Sequence, residues 1–328
     1  MKRVLFALAM LAACGNDFDP KSSITGIRVL GVKVDTPYAK PASKPTLSML
    51  YADGTSDRVV RDPKIVWFHG CTNPNGGLYH QCYPGLSQRL GQAFQGHAQI
   101  IDKEVPGLVT LGHTTTTDVP ADALAGKPQG KVFVFFAVCG GDVSYDPNPP
   151  NSSGLPIRCT KNGEDLSADE FVYGYTPLFV FDKLTNANPV IDGLTFGGNA
   201  PATKTCAEGC PADHACSGSR CLPVVPLCTA SSETDCPQVA FKPLVARASV
   251  EDDPLNQSQE SLWVEYAALN GRFDSGTRVV NDPSHGWNDD SEGKFVTFKA
   301  HPGEATLFAV VRDNRGGQAW ISFDVIVQ

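Results

Sequence analysis

The cysteines are the residues of this chain whose type and spacing carry the clearest chemistry. Eleven are present: Cys14 stands alone at the end of an apolar run, and the other ten follow residue 70. An even set of thiols in an oxidising compartment is typical of disulfide bonding. We therefore expect up to five bridges among Cys71, Cys82, Cys139, Cys159, Cys206, Cys210, Cys216, Cys221, Cys228 and Cys236.

Their spacing favours local pairs. Cys71 with Cys82 and Cys139 with Cys159 are the expected first two bridges. The last six cysteines allow many connectivities, and the sequence does not choose among them. The spacing within this group lacks the Cys-x₂-Cys pairs typical of zinc sites, even with His214 as a further ligand, so we expect no metal there.

The N-terminal seventeen residues have the pattern of an export signal. Lys2 and Arg3 precede ten apolar residues, 4–13, and the chain then turns polar. A bilayer span needs roughly 20 apolar residues, so this run is too short to be one. A positive start, a short apolar run and small residues at its end are typical of a secretory signal.

Leu11-Ala12-Ala13-Cys14 resembles the bacterial lipobox. This resemblance implies that residues 1–13 are a signal peptide that is removed, and that Cys14 receives fatty acyl chains such as palmitate. Residues 14–23 would then be an acylated polar tether, and the membrane would be a partner through this lipid anchor. Because Gly15 rather than Asp follows the cysteine, the outer membrane is favoured over the inner membrane.

The composition excludes some partners. Lys and Arg number 27 against 35 Asp and Glu, a formal net charge of −8. An acidic chain without basic clusters argues against nucleic acid and against broad electrostatic docking on anionic lipid. The 31 glycines and 25 prolines indicate many turns.

The apolar segments are short and rich in β-branched and aromatic residues. Asp-Gly, Asn-Gly and Gly-Gly turn signals separate them. This pattern predicts an all-β protein built as a sandwich or barrel. The predicted strands include 27–34, 64–68, 131–138, 261–266, 295–298, 305–311 and 319–327.

A faint internal repeat predicts two units. Ile24-Thr25-Gly26-Ile27 opens the first strand, and Ile191-Asp192-Gly193-Leu194 opens another 167 residues later. A long apolar strand, 131–139 or 305–311, precedes the closing strand of each half, which we place at 178–181 and 324–327. We expect two β-sandwiches in tandem with long disulfide-pinned loop insertions, at 24–183 and 184–328. The second would contain a cysteine-rich insertion at about 203–237, which has little apolar surface to bury.

At these residues the chain resembles tandem immunoglobulin-like domains of the PKD and cadherin-like type. The best match is Ala305 to Val327, with VVRDNRGGQAW between two strands, and Asn188-Pro189-Val190-Ile191 also fits. Similar lipoproteins occur in myxobacteria and their relatives. The antibody pattern fails, because Trp67 is present but residues 46–50 carry no cysteine.

Motifs for catalysis or a cofactor are absent from the sequence. It lacks Gly-x-Ser-x-Gly, His-Glu-x-x-His, a Walker loop and Gly-x-Gly-x-x-Gly, and its seven histidines are scattered. Acidic turns resemble those of calcium-binding sandwiches, but no ligand motif is intact. We therefore nominate no catalytic residue, cofactor or metal ligand.

Two regions are candidates for ligand binding. The segment 69–83 presents Tyr79, His80 and Tyr83 on a loop expected to be held by a disulfide bond. Trp287 follows a turn in the second unit, although a Trp beside a strand usually packs in the core. Rigid aromatic faces with nearby amides suit sugar rings or a protein partner.

Two functions remain open. We expect a membrane-anchored envelope lipoprotein that acts as a non-catalytic binding, adhesion or structural module, with an envelope protein or polysaccharide as its partner. The alternative is a loop-based hydrolase or carbohydrate-active enzyme with its site near residues 69–115. A pocket beneath residues 71–115 holding two carboxylates, or a His with an Asp, would favour the enzyme.

Overall fold

The structure is a computed structural model that describes residues 20–55, 62–75, 77–149 and 154–328. Cys14 and the apolar run before it lie outside the described residues. Among those described, no helix has the length and apolarity needed to cross a bilayer.

The first unit is a sandwich of a three-stranded sheet and a five-stranded sheet. The orders are β1-β3-β7 and β2-β12-β8-β4-β6, and the strands β9, β10, β11 and β5 form a small additional sheet. Its strands are β1 Ile27–Val34, β2 Tyr38–Ala39, β3 Thr46–Asp53, β4 Lys64–Asn73, β5 Gln99–Ile100, β6 Val109–Leu111, β7 Thr114–Thr116, β8 Gly130–Cys139, β9 Asp142–Tyr145, β10 Ile157–Lys161, β11 Glu164–Asp165 and β12 Phe171–Val180.

The second unit repeats this plan. One sheet has the order β13-β16-β23-β20 and the other β14-β15-β25-β24-β19-β21-β22, while β17 and β18 pair with each other. Its strands are β13 Ile191–Phe196, β14 His214–Ser217, β15 Arg220–Val225, β16 Gln238–Val245, β17 Asp252–Asp253, β18 Ser258–Gln259, β19 Leu262–Leu269, β20 Arg272–Phe273, β21 Thr277–Asp282, β22 Gly286–Trp287, β23 Gly293–Val296, β24 Gly303–Asp313 and β25 Gln318–Val327.

The two units open in the same way. In the first, β1 pairs with β3 in one sheet, and β2 then crosses to pair in parallel with the last strand, β12. In the second, β13 pairs with β16 and β15 pairs in parallel with the last strand, β25. The chain is therefore two immunoglobulin-like sandwiches in tandem, as the sequence predicted.

The central strand β8 explains the unbroken apolar run of the first unit. Val132, Val134 and Phe136 face the sandwich core, whereas Phe133 and Phe135 face outward into a second apolar cluster. A strand buried on both faces has no need for polar alternation. The cover over the outer face is the helix α1, Tyr83–Ala93, with the insertion that follows β8.

Helix α1 is fixed to the sheet by a bulge in β4. The register shifts between Phe68 and Cys71, and Gly70 has φ +87°, which a residue with Cβ rarely adopts. The guanidinium of Arg89 on α1 donates to the backbone oxygens of His69 and Gly70 there. The Cys71–Cys82 disulfide joins the same strand to the residue before the helix.

Two further insertions are held by disulfide bonds. Cys139 pairs with Cys159 across the residues that form β9 and β10. In the cysteine-rich segment the connectivity that the sequence left open is Cys206–Cys216, Cys210–Cys221 and Cys228–Cys236.

The cysteine-rich segment is built into the second sandwich at its C-terminal part. Val224 and Val225 pair with Ile326 and Val327, and Val225 is in the sandwich core. The predicted insertion at about 203–237 therefore includes a sandwich strand. The part before Arg220, which we call the projecting part, joins the sheet through the pairing of β14 with β15.

The units pack through an apolar patch between two sheet faces. Leu30 and Ala52 of the first unit meet Ala267, Phe308 and Val310 of the second. The two faces of β24 are therefore both buried: Phe308 and Val310 contact the first unit, whereas Leu307 and Ala309 point into the second sandwich.

The end of the predicted tether is docked on the second unit. Ser22 is buried, and its Oγ donates to Phe273 O at 2.8 Å and accepts from Phe273 N at 3.1 Å. The backbone of Ser22 and Ile24 bonds to Ala268. The described residues 20–23 of the segment predicted as a tether are therefore attached to the fold, whereas the rest of it lies outside the described residues.

Candidate binding surface on the first unit

Four tyrosines and a histidine lie together on the outer face of the five-stranded sheet. The loop predicted from the sequence supplies Tyr79, His80 and Tyr83, and strand β12 supplies Tyr173 and Tyr175. We call these five residues the tyrosine surface. The Cys71–Cys82 disulfide fixes the loop side, and the sheet ladder fixes the strand side.

Tyr79 is the centre of the tyrosine surface. Its ring centroid lies 4.8 Å from that of Tyr175 and 4.4 Å from that of His80. Beneath it, the ring of Phe135 is 5.5 Å away in an edge-to-face arrangement. Aromatic pairs of this geometry add stabilisation beyond area burial. The rings are thus held by packing in fixed positions.

The outer rings remain accessible. Tyr173 is 44% exposed and Tyr175 is 40% exposed, although both are large and partly apolar. They are two residues apart on β12, so their side chains stand on the same face of the sheet. On the loop that carries Tyr79, Asn75 Nδ2 donates to Gln81 Oε1 at 3.1 Å, and both residues are at the surface. Aromatic faces and amide groups are therefore offered side by side.

A cleft continues the surface along β12. It has a volume of about 310 Å³, and Phe171 and Tyr173 form its wall on the β12 side. Arg158 on the other side is paired with Asp165 at 2.8 Å and with Asp146 at 3.6 Å. A ligand lying across the rings would thus meet charged hydrogen-bonding groups at one end.

Tyr83 is a hydrogen-bond donor over the whole physiological pH range. Burial raises its pKa above the ordinary value, and the neighbouring Tyr79 adds to this rise. Its ring lies 5.8 Å from that of Phe135, so it supports the surface from below.

Sequence reasoning missed Tyr173 and Tyr175 because it placed the closing strand of the first unit at 178–181. The strand begins at Phe171. The available signal was the alternation Phe171, Tyr173, Tyr175, with smaller residues between them.

Trp287 does not present a free face. Its Nε1 donates to Asp289 Oδ1 at 3.1 Å, and the guanidinium of Arg247 lies 5.2 Å from its ring centroid. The ring is partly buried and packs against the core of the second sandwich. It caps that sandwich, and the ion pair of Arg247 with Asp289 holds it in place.

Apolar side chains of helix α1 cover part of the region of the alternative enzyme site. Leu86, Leu90 and Phe94 of the helix segment fill the space above the sheet. His69 is buried, and its two ring nitrogens contact the hydroxyls of Thr117 at 3.1 Å and Thr110 at 2.8 Å.

Burial lowers the pKa of His69 to about 4, so the ring is neutral at physiological pH. His113 lies 3.6 Å from Asp62, but both side chains are largely exposed. In the described part of residues 69–115 these contacts form no enclosed acid–base pair, and the enzyme hypothesis gains no support from them.

A second polar cluster lies at the junction of the units. Arg315 is buried and pairs with Glu260 at 2.9 Å and with Glu251 at 2.5 Å, and its guanidinium lies 5.7 Å from the ring centroid of Tyr38. Burial raises the pKa of Glu260 to about 7, a rise that the Glu251 N–H and Arg315 oppose.

The acidic turns around this cluster are bonded internally. Asp313 accepts from the backbone N–H groups of Arg315 and Gly317 and from Asn186 Nδ2. Asp253 accepts from Leu255 N and from Asn256 Nδ2. These two carboxylates are therefore structural braces for their turns.

The sulfurs of Cys206, Cys210 and Cys221 are the one group of potential metal ligands brought close together in the described residues. All three belong to disulfide bonds, which leaves no thiolate to bind a metal.

No protein-family model matches the chain, and no curated protein matches it. Among solved structures it is similar to the fibronectin(III)-like modules of Clostridium thermocellum CbhA, with 10% identity and a TM-score of 0.21. That match covers 91% of this chain and 94% of the CbhA chain. A second is the N-terminal Ig1-2 module of the Drosophila receptor protein tyrosine phosphatase DLAR, with 10% identity, coverage of 92% and 99%, and a TM-score of 0.22.

A third is dimeric latent PorU from Porphyromonas gingivalis, with 11% identity and a TM-score of 0.20, where the match covers 92% of this chain and 24% of that one. With TM-scores of 0.20 to 0.22, these likenesses carry no conclusion about this chain.

Proposed function

We propose that the protein is a lipid-anchored envelope protein whose first unit is a non-catalytic binding module for polysaccharide. The observation that carries this proposal is the tyrosine surface, where Tyr173 and Tyr175 are exposed on a rigid strand beside the ring of Tyr79. A sugar ring has an apolar face of C–H groups that stacks on an aromatic ring, and hydroxyls that bond to amides and carboxylates.

The surroundings of the rings fit this ligand class. The cleft of about 310 Å³ beside Tyr173 places the Arg158–Asp165 ion pair next to the rings, where hydroxyls of a chain lying along β12 would reach it. Rings that are already ordered lose little conformational entropy on binding, which favours affinity. A tandem sandwich needs no further catalytic part to act in this way.

Binding is tested with the double variant Y173A/Y175A. Affinity electrophoresis in gels containing peptidoglycan fragments, glucans or mannans should retard the native chain, and the double variant should migrate freely. Y173F/Y175F keeps the rings and should retain most binding. L244A, which truncates an exposed residue of the second unit, is the matched control. If no polysaccharide retards the native chain, or if Y173A/Y175A is retarded equally, the binding proposal fails.

The anchor is tested separately. We infer that Cys14 is acylated, on the lipobox resemblance alone. The C14S variant should remain uncleaved, should not incorporate an alkyne analogue of palmitate, and should leave the detergent phase on Triton X-114 partitioning. A C14S protein that stays cleaved and detergent-bound would contradict acylation at this residue, whatever the outcome of the polysaccharide experiment.

A further inference from the structure

A second cleft, of about 420 Å³, opens between the two units next to the docked N-terminal segment. Its lining contains three cationic side chains, Lys21, Arg28 and Arg312, against one carboxylate, that of Glu265. Such an excess of positive charge is local, because the chain as a whole is acidic. We call this feature the cationic cleft.

Its charges are not cancelled by the neighbouring groups. Arg312 Nε pairs with Glu265 Oε2 at 2.8 Å, which accounts for the one carboxylate. Arg28 donates to the backbone oxygen of Lys21, a neutral acceptor. Within the described part of the chain, neither Lys21 nor Arg28 forms an ion pair, so two cationic groups face the cleft without an anion.

The cleft is a built feature of the junction. Arg28 and Leu30 lie on β1 of the first unit, and the Arg312 guanidinium also donates to the backbone oxygen of Leu30. Gly276 of the second unit, close to Lys21 Cβ, completes the wall with Thr277. The packing of the two sandwiches therefore fixes the walls of the cleft, and hydrogen bonds position the guanidinium groups of Arg28 and Arg312.

We propose that the cationic cleft binds a phosphate group. A guanidinium and an ammonium group directed at one space match the oxygens of a phosphate, and Arg in particular offers paired donors to it. Thr277 and Arg312 also line the cleft, and their side chains carry further hydrogen-bond donors. The overall negative charge disfavours adsorption on a whole anionic surface, but recognition of one group depends on the local field.

The phosphate has two potential sources, a phospholipid headgroup or a soluble phosphate ester. Lys21 follows Cys14 by seven residues, a distance of at most about 25 Å when extended. If Cys14 is acylated as proposed, the cleft stands near the headgroups, and the headgroup is then the nearest source. This source rests on the proposed anchor, whereas the binding of phosphate itself does not.

The experiment uses the purified full chain in a maltoside detergent, which contains no phosphate. Thermal unfolding is followed during titration with sodium phosphate, with sodium chloride of equal ionic strength as reference. Phosphate should raise the melting temperature beyond chloride, since a ligand that binds only the folded state stabilises it. K21Q and R28Q should each weaken the apparent affinity at least about tenfold. K127Q, which removes an exposed lysine outside the cleft, should leave it unchanged.

K21Q is the safer variant for folding, because the Lys21 side chain is exposed. Dihexanoylphosphatidylglycerol below its micelle concentration, compared with hexyl glucoside, tests the lipid source. Stabilisation by this lipid supports the headgroup, and stabilisation by inorganic phosphate alone assigns the cleft to soluble esters. Equal effects of phosphate and chloride, or equal affinities of K21Q and K127Q, would overturn the proposal. Mass spectrometry of Cys14 reports on the anchor independently.

Discussion

His69 is a buried polar residue of strand β4. A histidine near a loop of tyrosines resembles a functional group, yet it is buried among the hydroxyls of Thr110, Thr115 and Thr117. The cost of burying a charge there is greater than the attraction of the Asp118 and Glu104 carboxylates, so its pKa falls to about 4. Its neutral form is part of the fold.

This predicts a defined pH dependence of stability. The pKa of His69 lies at about 4 in the folded chain and at 6.5 ordinarily, so the unfolded chain binds the proton first as the pH falls. The stability that neutral His69 provides is complete above pH 6.5 and is lost as the pH falls towards 4, by about 3 kcal/mol at most. Urea unfolding gives the free energy of unfolding of the native chain and of H69Q at pH 7 and at pH 4. The advantage of the native chain over H69Q should be smaller at pH 4 than at pH 7. A gap that is constant with pH would contradict the assignment. Glu260, whose pKa is raised, has the opposite slope but is common to both proteins.

We expect that replacing Arg315 alone lowers the stability of the fold strongly. It is buried with Glu260, so R315A would leave that carboxylate unpaired in the interior, at an expected cost of about 3 to 5 kcal/mol. R220A is the control, because its ion pair with Asp324 lies at the surface and should matter by less than about 1 kcal/mol. The measurement is the free energy of unfolding at pH 8. Similar losses of unfolding free energy in the two variants would show that the buried ion pair contributes no more to stability than the surface pair.

At the scale of elements, the strands were largely predictable and helix α1 was not. Alternation and turn signals mark the strands, and the run 131–138 shows as continuous apolar sequence because both faces of β8 are buried. Helix α1 contains Gly85 and Gly91, which are poor helix formers, and Pro84, which a helix accepts only in its first turn. Its apolar signal is confined to Leu86, Leu90 and then Phe94, so tertiary packing on the sheet determines it.

The candidate site was predictable only in its loop half. The spacing of Cys71 and Cys82 marked a constrained loop, and Tyr79, His80 and Tyr83 lie on it. The other half depends on which face of β12 points outward, which follows from long-range pairing of Tyr175 with Phe135 that the local sequence does not encode. Sites formed between distant elements require the register to be known first.

Part of the cysteine-rich insertion should be removable without unfolding the second unit. Thr205 and Arg220 are bridged as antiparallel neighbours, so the chain enters and leaves the projecting part at one point. Replacing residues 205–219 by Asn-Gly, with C221A to remove the thiol left unpaired, should preserve a cooperative melt of the second unit. Shortening a surface loop of this kind changes the entropy of loop closure only a little, so the deletion should not unfold the sandwich.

Extending the same deletion to residue 225 is the contrasting variant. It removes Leu222 and Val225 from the interior and the parallel pairing with β25, so we expect the second unit to be strongly destabilised. Differential scanning calorimetry compares the two. If both deletions melt alike, β15 is dispensable and the projecting part extends further than the pairing indicates.

At the scale of the whole molecule, the two sandwiches are joined by more than a linker. The apolar patch around Leu30 and Phe308 is supported by Val32 N donating to Gln318 Oε1 at 3.2 Å and by Asn188 Nδ2 donating to Val34 O at 2.8 Å. The docked Ser22 adds a third connection. The tyrosine surface and the cationic cleft are therefore carried on two units that pack against each other.

This arrangement predicts that the units unfold together and that one substitution can separate them. Phe308 points out of the second sandwich into the patch, so F308K places a charge between the units without touching the core residue Leu307. An unpaired buried charge is expensive, whereas the same lysine on a separated sandwich would be solvated. Calorimetry should show one transition for the native chain and two for F308K, and small-angle scattering should show a larger radius of gyration. V279K adds the same charge to an exposed position of the same sheet and should keep the single transition. Two transitions in the native chain, or one in F308K with unchanged dimensions, would mean that the patch does not couple the units.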